Sequence, residues 1–375
     1  MRVIVIGAGL GGLTLAHGLR RAGIEVAVYE RDSALGRPQG VSLHFDERGA
    51  SALCACLPPA HLAIVQATTG GPREQTLTLS DVDGGLAVTG ARPSDGVAGR
   101  PRPGQQVHRP LLRAVLLTEL DDVVRFGSEF TRFDHLSDGT VRAWFADGHT
   151  DTADVLVGAD GIGSAVRRRY LPDAQVVDTG RRMIMGATPL RAVSGTGLPD
   201  LIGDSPAVAQ VRGTMMVLGV LRFTQPPATA RQQWLPALRR SAVDIEDYVM
   251  WALPTTQDQL GSAAVWHRAM DLTVDLPPAL RLIVTEAWQD VTVALRIGTI
   301  PPIPAWPASP VTVIGDAIHL APGFGGNLAM QDAHHLCEAL VEAHRGRLDL
   351  LDAIGTYEDT MRRNSFTSVG VKAGT

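Results

Sequence analysis

The chain opens with a glycine pattern that can bind the phosphate groups of a dinucleotide. Gly7, Gly9 and Gly12 form the spacing G-x-G-x-x-G directly after residues 3–6, an apolar run typical of a buried parallel strand. The first glycine allows a tight turn, the second lets the backbone approach a pyrophosphate, and the third permits close packing of helix on strand. The helix that follows would present free N–H groups and the positive end of its dipole to the phosphates.

A carboxylate follows at the position where a nucleoside would need one. Glu30 stands at the tip of the second predicted strand, residues 25–29, and can accept hydrogen bonds from both hydroxyls of an adenosine ribose. Its charge would repel a 2′-phosphate, so these residues favour FAD or NAD over NADP as the bound dinucleotide. A lone glycine motif is weak evidence in a chain with 40 glycines, but strand, motif, helix, strand and acid in this order are specific.

Two later segments also combine strand ends with carboxylates and glycines. The first, GADGIGSAVR, covers residues 158–167 and contains Asp160. The second, VIGDAIHLAPGFGGNLAMQD, covers residues 313–332 and contains Asp316. A carboxylate at a strand tip can accept hydrogen bonds from two hydroxyls of a polyol. Two roles stay open for Asp160, in a nucleotide site or as the cap of the helix that follows it.

With these three segments in order, the chain resembles the FAD-dependent aromatic hydroxylases, the single-component flavoprotein monooxygenases of the para-hydroxybenzoate hydroxylase type. It is most similar to the short salicylate hydroxylase-like and tetracycline-degrading members. The resemblance covers essentially the whole chain, although the middle is supported only by its position. It implies FAD as cofactor, NADPH or NADH as co-substrate, and O₂. The implied reaction is hydroxylation of an aromatic or polycyclic small molecule through a C4a-hydroperoxyflavin.

The resemblance also implies roles for individual residues. Because the flavin carries the chemistry, no residue has a certain catalytic role, but Pro322, Gly325, Gly326 and Asn327 would lie beside the flavin ring. The implied cofactor-binding residues come from the three motifs, a following strand and a predicted helix: Gly7, Gly9, Leu10, Gly11, Gly12, Glu30, Arg31, Ser42, Arg109, Asp160, Asp316, Pro322, Gly326, Asn327 and Leu328. Two roles stay open for Arg109, which could bind FAD or be an ordinary helix arginine. Three stay open for Arg167, which could contact Asp160, a phosphate group or solvent.

The order of predicted elements indicates an α/β fold with a discontinuous Rossmann-like FAD-binding domain. Residues 1–175 would form its first part, with short β inserts at 67–106. Residues 176–300 would form an inserted, mostly antiparallel, sheet-rich substrate domain, since helix signals thin out there. Residues 301–375 would complete the FAD-binding domain and add C-terminal helices.

The inserted sheet should supply the substrate pocket. The candidate lining residues from this sheet are Met185, Gln210, Met216, Val220 and Trp251. Phe324, from the glycine-rich segment 313–332, is a sixth candidate. A weakly charged set rich in methionine favours a bulky planar apolar substrate. A small benzoate would instead need a paired arginine, which Arg222 or Arg212 could supply, so both substrate classes stay open.

Composition narrows the possible functions. The net charge of −5 gives no reason to expect nucleic acid or a membrane surface as a partner, and Cys54, Cys56 and Cys337 form no metal-binding pattern. The N-terminal apolar stretch belongs to a strand and not to a signal peptide, so we expect a cytoplasmic protein. We expect no bound metal, and the sequence leaves the oligomeric state open. Lys372 is the only lysine and a W-x-W-x-I-P segment is absent, which excludes a flavin-dependent halogenase.

Several alternative functions remain at this point. The same scaffold could serve an epoxidase, a Baeyer–Villiger oxygenase or a reductase. A catalytically silent flavin-binding or ligand-binding protein fits less well, because binding adenosine alone would not require the Gly315-Asp316 loop. The preference for arginine over lysine, with many alanines and glycines, is typical of a GC-rich coding background. That background favours a natural-product tailoring hydroxylase by association only and not by a physical argument.

Overall fold

The computed structural model describes residues 1–34, 36, 40–96, 102–262, 264–320 and 325–369. Their strands are, in chain order, β1 (Arg2–Ile6), β2 (Glu25–Glu30), β3 (Ser42–Asp46), β4 (Pro72–Arg73), β5 (Gln75–Val82), β6 (Gly85–Pro93), β7 (Gly104–His108), β8 (Val124–Phe126), β9 (Phe130–His135), β10 (Val141–Phe145), β11 (Thr150–Ala153), β12 (Val155–Gly158), β13 (Val177–Pro189), β14 (Ala207–Val211), β15 (Thr214–Leu221), β16 (Tyr248–Thr256), β17 (Val293–Thr299) and β18 (Val311–Val313).

Helices connect and cover these strands. They are α1 (Leu10–Arg21), α2 (Glu47–Cys56), α3 (Pro59–Ala67), α4 (Arg109–Leu117), α5 (Ala165–Tyr170), α6 (Leu190–Val193), α7 (Leu198–Ile202), α8 (Pro227–Trp234), α9 (Gln257–Leu260), α10 (Val265–Leu272), α11 (Pro278–Thr285), α12 (Gly325–His344) and α13 (Leu350–Val369). Within the described residues, no helix combines the length and the apolar character that crossing a membrane would require.

A parallel sheet of five strands forms one core of the molecule. Its order is β18-β12-β1-β2-β8, and every neighbouring pair runs parallel. Val3, Ile4 and Val5 of β1 are completely buried, as expected for a central parallel strand covered on both faces. Helix α1 packs against α12, although the two are far apart in sequence. The predicted Rossmann-like α/β fold is therefore confirmed, and residues from both ends of the chain build it.

A second sheet of seven strands lies beside the first. Its order is β17-β13-β16-β15-β14-β5-β6, antiparallel except where β14 pairs with β5. Strands β5 and β6 come from the segment predicted as short β inserts, so residues before 175 also contribute to this sheet. The two smaller sheets contain β11-β10-β9 and β3-β7-β4. The proposed domain limits at 175 and 300 stay a prediction.

Side-chain alternation in the seven-stranded sheet corrects part of the predicted substrate pocket. Met216, Val220 and Trp251 are at most 1% exposed and belong to a core that also contains Leu280 and Ile283 of α11. Because neighbouring residues of a strand point to opposite faces, these three face the helices and not the other side of the sheet. The structure therefore places these three predicted substrate residues in the core, away from the cleft described below.

Gly186 makes room for the largest side chain of that core. It pairs with Trp251 across β13 and β16, and a Cβ atom at Gly186 would lie 2.3 Å from the indole ring. We expect Gly186→Ala to lower the free energy of unfolding by about 1–3 kcal/mol, because the ring has to move. Gly195→Ala is the control, since no atom lies within 4 Å of its added methyl. Equal urea-unfolding midpoints for the two variants would contradict this packing.

Candidate active site

A cleft of about 1960 Å³ is lined by residues of both large sheets. The carboxyl ends of β1, β2, β12 and β18 contribute to one side, where open α/β sheets bind their ligands. The other side is the face of the seven-stranded sheet that points away from α11. We call the first part, built from loops and helix ends, the loop side, and the second part, built from strand faces, the strand side.

The glycine motif brings backbone directly to the loop side of the cleft. Gly7 has a φ of +111°, and a Cβ there would lie 2.4 Å from the carbonyl oxygen of Ala159. A Cβ at Gly12 would lie 2.1 Å from the Gly7 carbonyl oxygen, so α1 can approach β1 only with glycine there. Gly9 precedes α1 without a side-chain cap and faces open space. The first N–H groups of α1 are thus left for a ligand in the cleft.

Glu30 holds the two loops that border this region. Its Oε2 accepts a hydrogen bond from the Ala8 N–H at 2.8 Å, and its Oε1 accepts one from the Asp32 N–H at 2.9 Å. Each carboxylate oxygen can accept a second hydrogen bond, so binding to a ribose hydroxyl stays possible. Arg31 also lines the cleft and lies 3.8 Å from the Asp32 carboxylate.

Two arginines of α4 point into the cleft from one helix face. Arg109 is the predicted residue, and Arg113, one turn later, donates from Nε to the Ala8 carbonyl oxygen at 3.0 Å. Burial lowers the pKa of both guanidinium groups, opposed by the charge of Asp316 at Arg109 and of Glu30 at Arg113. The sequence reasoning missed Arg113, although its four-residue spacing from Arg109 places both on one helix face.

Asp316 lies where β18 meets the beginning of α12. A Cβ at Gly325 would lie 2.6 Å from the Asp316 Oδ1, which places this carboxylate beside the helix N-terminus. Burial raises the pKa of Asp316, while the charges of His319 and Arg109 oppose that rise. The side chain is nevertheless open to the cleft. A carboxylate in this position can bind hydroxyl groups of a ligand.

The start of α12 brings some predicted residues into the cleft and excludes others. Gly325 and Gly326 line it, as does Ser42 of β3. The Asn327 side chain accepts from the Asp46 N–H at 3.1 Å and donates to the His44 carbonyl oxygen at 2.7 Å, so it fastens α12 to β3. Leu328 is 1% exposed, so this side chain and that of Asn327 are directed away from a ligand. Pro322 and Phe324 lie outside the described residues.

A buried ion pair supports the loop between β18 and α12. His319 Nε2 lies 2.6 Å from Asp332 Oδ2, which also accepts the Gly315 N–H at 2.8 Å. Burial alone would lower the pKa of the His319 imidazole, but the Asp332 carboxylate raises it above its ordinary value, and Asp316 adds to that rise. Asp332 therefore holds the backbone just before Asp316.

The structure favours the capping role for Asp160. Its Oδ2 accepts hydrogen bonds from the Ala165 N–H at 2.7 Å and the Val166 N–H at 3.3 Å, at the start of α5. Asp160 also lines the cleft, so a contact with the cofactor stays a prediction. Arg167 donates to the carbonyl oxygens of Ala317 and Ile162, which ties α5 to the Asp316 loop.

The strand side of the cleft is mainly apolar. Met185 and Gln210 of the predicted set line it, together with Met183, Met250 and Leu295. Neither arginine proposed as a substrate partner lines it. Arg222 donates to the carbonyl oxygens of Gly203 and Pro199, and Arg212 donates to that of Asp275.

These features fit a flavin dinucleotide. The glycine-lined helix start, the arginine pair and the carboxylates Glu30 and Asp316 supply separate contacts for pyrophosphate, ribose and ribityl groups. Two family models match the chain at these places: the "NAD(P)-binding Rossmann-like domain" over residues 5–46 and the "FAD binding domain" over residues 304–365.

Comparison with known proteins gives the same assignment. The solved structure of an FAD-containing monooxygenase from Photorhabdus luminescens superimposes with a TM-score of 0.82 at 28% identity, covering 99% of this chain and 96% of that one. The chain is therefore similar to FAD-dependent monooxygenases in both sequence and fold. The dual O-methyltransferase/FAD-dependent monooxygenase CTB3 of Cercospora beticola is 32% identical over 96% of this chain and 44% of its own length.

A shorter match links the chain to urate hydroxylases. The FAD-dependent urate hydroxylase of Mycolicibacterium vanbaalenii is 35% identical over 46% of this chain and 42% of its own length. The chain thus spans about half the length of the curated relatives it matches.

We expect Asp316→Asn to weaken FAD binding about tenfold to a hundredfold, because loss of a hydrogen bond to a charged group costs about 1.5–3 kcal/mol. FAD retained after dialysis and the dissociation constant from flavin fluorescence report the change. Asp244→Asn is the control, since Asp244 lines the same cleft away from the end of β18. If both variants bind FAD as the unchanged protein does, Asp316 does not hold the cofactor.

We expect Asp332→Asn to lower the free energy of unfolding at pH 6 by about 3–5 kcal/mol, because it leaves His319 buried without its counter-ion. The pKa of His319 is raised in the folded state, so its stabilising contribution is full below about pH 6.5 and fades as pH rises through the raised value. The loss should therefore be smaller at pH 9.

Glu338→Gln is the matched control for that measurement. Glu338 pairs with His334 at 3.4 Å on the exposed side of the same helix, and we expect a change of at most about 1 kcal/mol. Urea unfolding of both variants at the two pH values decides the matter. A pH-independent loss in Asp332→Asn would show that the residue acts only through the Gly315 N–H.

Proposed function

We propose that this protein is an NAD(P)H-dependent monooxygenase that hydroxylates an aromatic or polycyclic small molecule. The observation that carries the proposal is the continuity of the cleft. Its loop side, with Asp316 and Gly325, opens directly onto the strand side, with Met185 and Met250. A planar apolar molecule on the strand side would therefore face the end of the cofactor that Asp316 and α12 hold.

The bound FAD would supply the redox chemistry, accepting electrons from the nicotinamide and activating O₂. The chain's own residues position the reactants. The N-terminus of α12 would stabilise negative charge at the nearby edge of the flavin ring through its dipole and free N–H groups. The sequence contains no second strand-associated G-x-G-x-x-G motif, so NADH or NADPH would need to approach through the open side of the cleft.

The strand side has the character needed to protect an oxidation from water. Met183, Met185, Met250 and Leu295 form an apolar wall. Such a wall orders a planar substrate by contact area and leaves little space for solvent around the reacting atoms. Methionine adapts to irregular shapes, which favours a bulky ring system.

The test is oxidation of NADH and of NADPH in air by the FAD-loaded protein, with a panel of phenols and polycyclic aromatic compounds. We expect one compound to stimulate nicotinamide oxidation and to yield a product heavier by one oxygen atom. Oxidation that no compound stimulates, with full flavin content and either nicotinamide, would contradict the proposal.

We expect Met250→Glu to raise the KM for the stimulating compound by about tenfold or more, because it places a charge in the apolar wall. FAD content should not change. Val88→Glu is the control, since Val88 is 41% exposed on β6 of the same sheet. Equal KM values in the two variants would remove Met250 from the substrate site.

A further inference from the structure

A buried cation stands on the strand side of the cleft, where the sequence predicted mainly apolar residues. Arg73 is the second residue of β4 and is 3% exposed. Its Nε donates to the Asp204 carbonyl oxygen at 3.2 Å, which fixes the side chain under the sheet. It also lines the cleft, unlike Arg212 and Arg222.

Arg73 forms no direct ion pair with a carboxylate among the described residues. No carboxylate there lies within 4.0 Å of its guanidinium, and its Nη2 is buried without a hydrogen-bond acceptor. The carboxylate of Asp204 pairs with Arg222 instead, at 3.7 Å. Burial lowers the pKa of Arg73 to about 10, so the group remains charged at neutral pH. The charge of Asp204 opposes that fall in pKa from a distance, but a buried charge without a direct ion pair is unfavourable, which makes an anionic ligand a natural partner.

The guanidinium lies over a point of the sheet that carries no side chain. A Cβ at Gly219 would lie 2.4 Å from Arg73 Nη2 and 2.9 Å from Gln106 Oε1. Gly219 pairs with Met250, so the charge stands next to the apolar wall of the proposed substrate site. Both polar atoms of the Gln106 amide are also buried without a partner in the described part of the chain.

Two polar groups near Gly219 and Met250, His108 and Tyr248, are neutral. His108 lines the cleft, and its Nδ1 lies 3.2 Å from the Tyr248 hydroxyl. Burial lowers the pKa of His108 to about 4 and raises that of Tyr248, so neither is charged at neutral pH. Of the α4 arginines, Arg113 is directed toward the glycine motif, where it donates to the Ala8 carbonyl oxygen. An aromatic ring against Met250 would place a ring substituent near the buried positive charge of Arg73.

We propose that Arg73 binds the carboxylate of an aromatic acid and so makes the enzyme selective for anionic substrates. The proposal rests on the proposed function for the reaction itself. A carboxylate is ionised throughout the physiological pH range and forms charge-assisted hydrogen bonds with a guanidinium. The open choice between an apolar substrate and a benzoate is thereby resolved toward an aromatic acid large enough to contact the methionine wall.

The test compares matched anionic and neutral probes: 2-naphthoate with 2-naphthamide, and benzoate with benzamide. Binding is measured as the change in flavin absorbance of the FAD-loaded protein, and as the shift of melting temperature with and without FAD. We expect the unchanged protein to bind 2-naphthoate at least about tenfold more tightly than the amide. In Arg73→Met this preference should disappear, while FAD content stays the same and the melting temperature stays the same or rises.

Arg212→Met is the matched control, because Arg212 is an exposed arginine between β14 and β15 that does not line the cleft. Arg212→Met should keep the full preference. If Arg73→Met fails to fold, Arg73→Lys takes its place and should keep part of the preference. The proposal is overturned if Arg73→Met retains the preference, if the unchanged protein shows none, or if Arg73→Met loses FAD. Failure to take up FAD or to oxidise nicotinamide would overturn the proposed function, while the melting shifts would still decide the role of Arg73.

Discussion

The cleft depends on a steric constraint: two helices, α1 and α12, begin almost in contact with the ends of parallel strands. A Cβ at Gly11 would lie 2.9 Å from the Ala329 carbonyl oxygen, and one at Gly315 would lie 2.6 Å from the Ala329 Cβ. Side chains at these positions would force the helices apart. The free N–H groups of both helices can converge on one ligand because glycine occupies the contacts.

The charged groups of the loop side follow from that convergence. Arg109 and Asp316 both face the cleft, and burial lowers the pKa of the Arg109 guanidinium, which a polar ligand beside it would offset. The pair between His319 and Asp332 fixes the backbone that carries Asp316. The strand side is mainly apolar, and Arg73 adds a buried cation beside its methionine wall. A cofactor held by charge and a substrate held by apolar contact thus share one cavity.

How far the sequence predicts this structure depends on how local each signal is. Gly7, Gly9, Gly12 and Glu30 lie within one strand–helix–strand unit, so their spacing fixes their geometry. The substrate face was only partly predictable, because both faces of the seven-stranded sheet are apolar and alternation alone does not say which one covers the core. Met185 and Met216 look equivalent in sequence, but only Met185 lines the cleft. No local sequence pattern marks Arg73 as a site residue, because its burial comes from contacts that are distant in sequence. These contacts are the pairing of β4 with β7 and the packing of Arg73 over Gly219.

The central claim is that the converging helix ends and Glu30 hold a dinucleotide rather than a flavin mononucleotide. The most direct measurement is the flavin content and visible absorption spectrum of the protein after separate reconstitution with FAD and with FMN. The account predicts one tightly bound FAD for each chain and little retention of FMN, which lacks the adenosine that Glu30 would bind. Equal retention of the two flavins, or retention of neither, would contradict it.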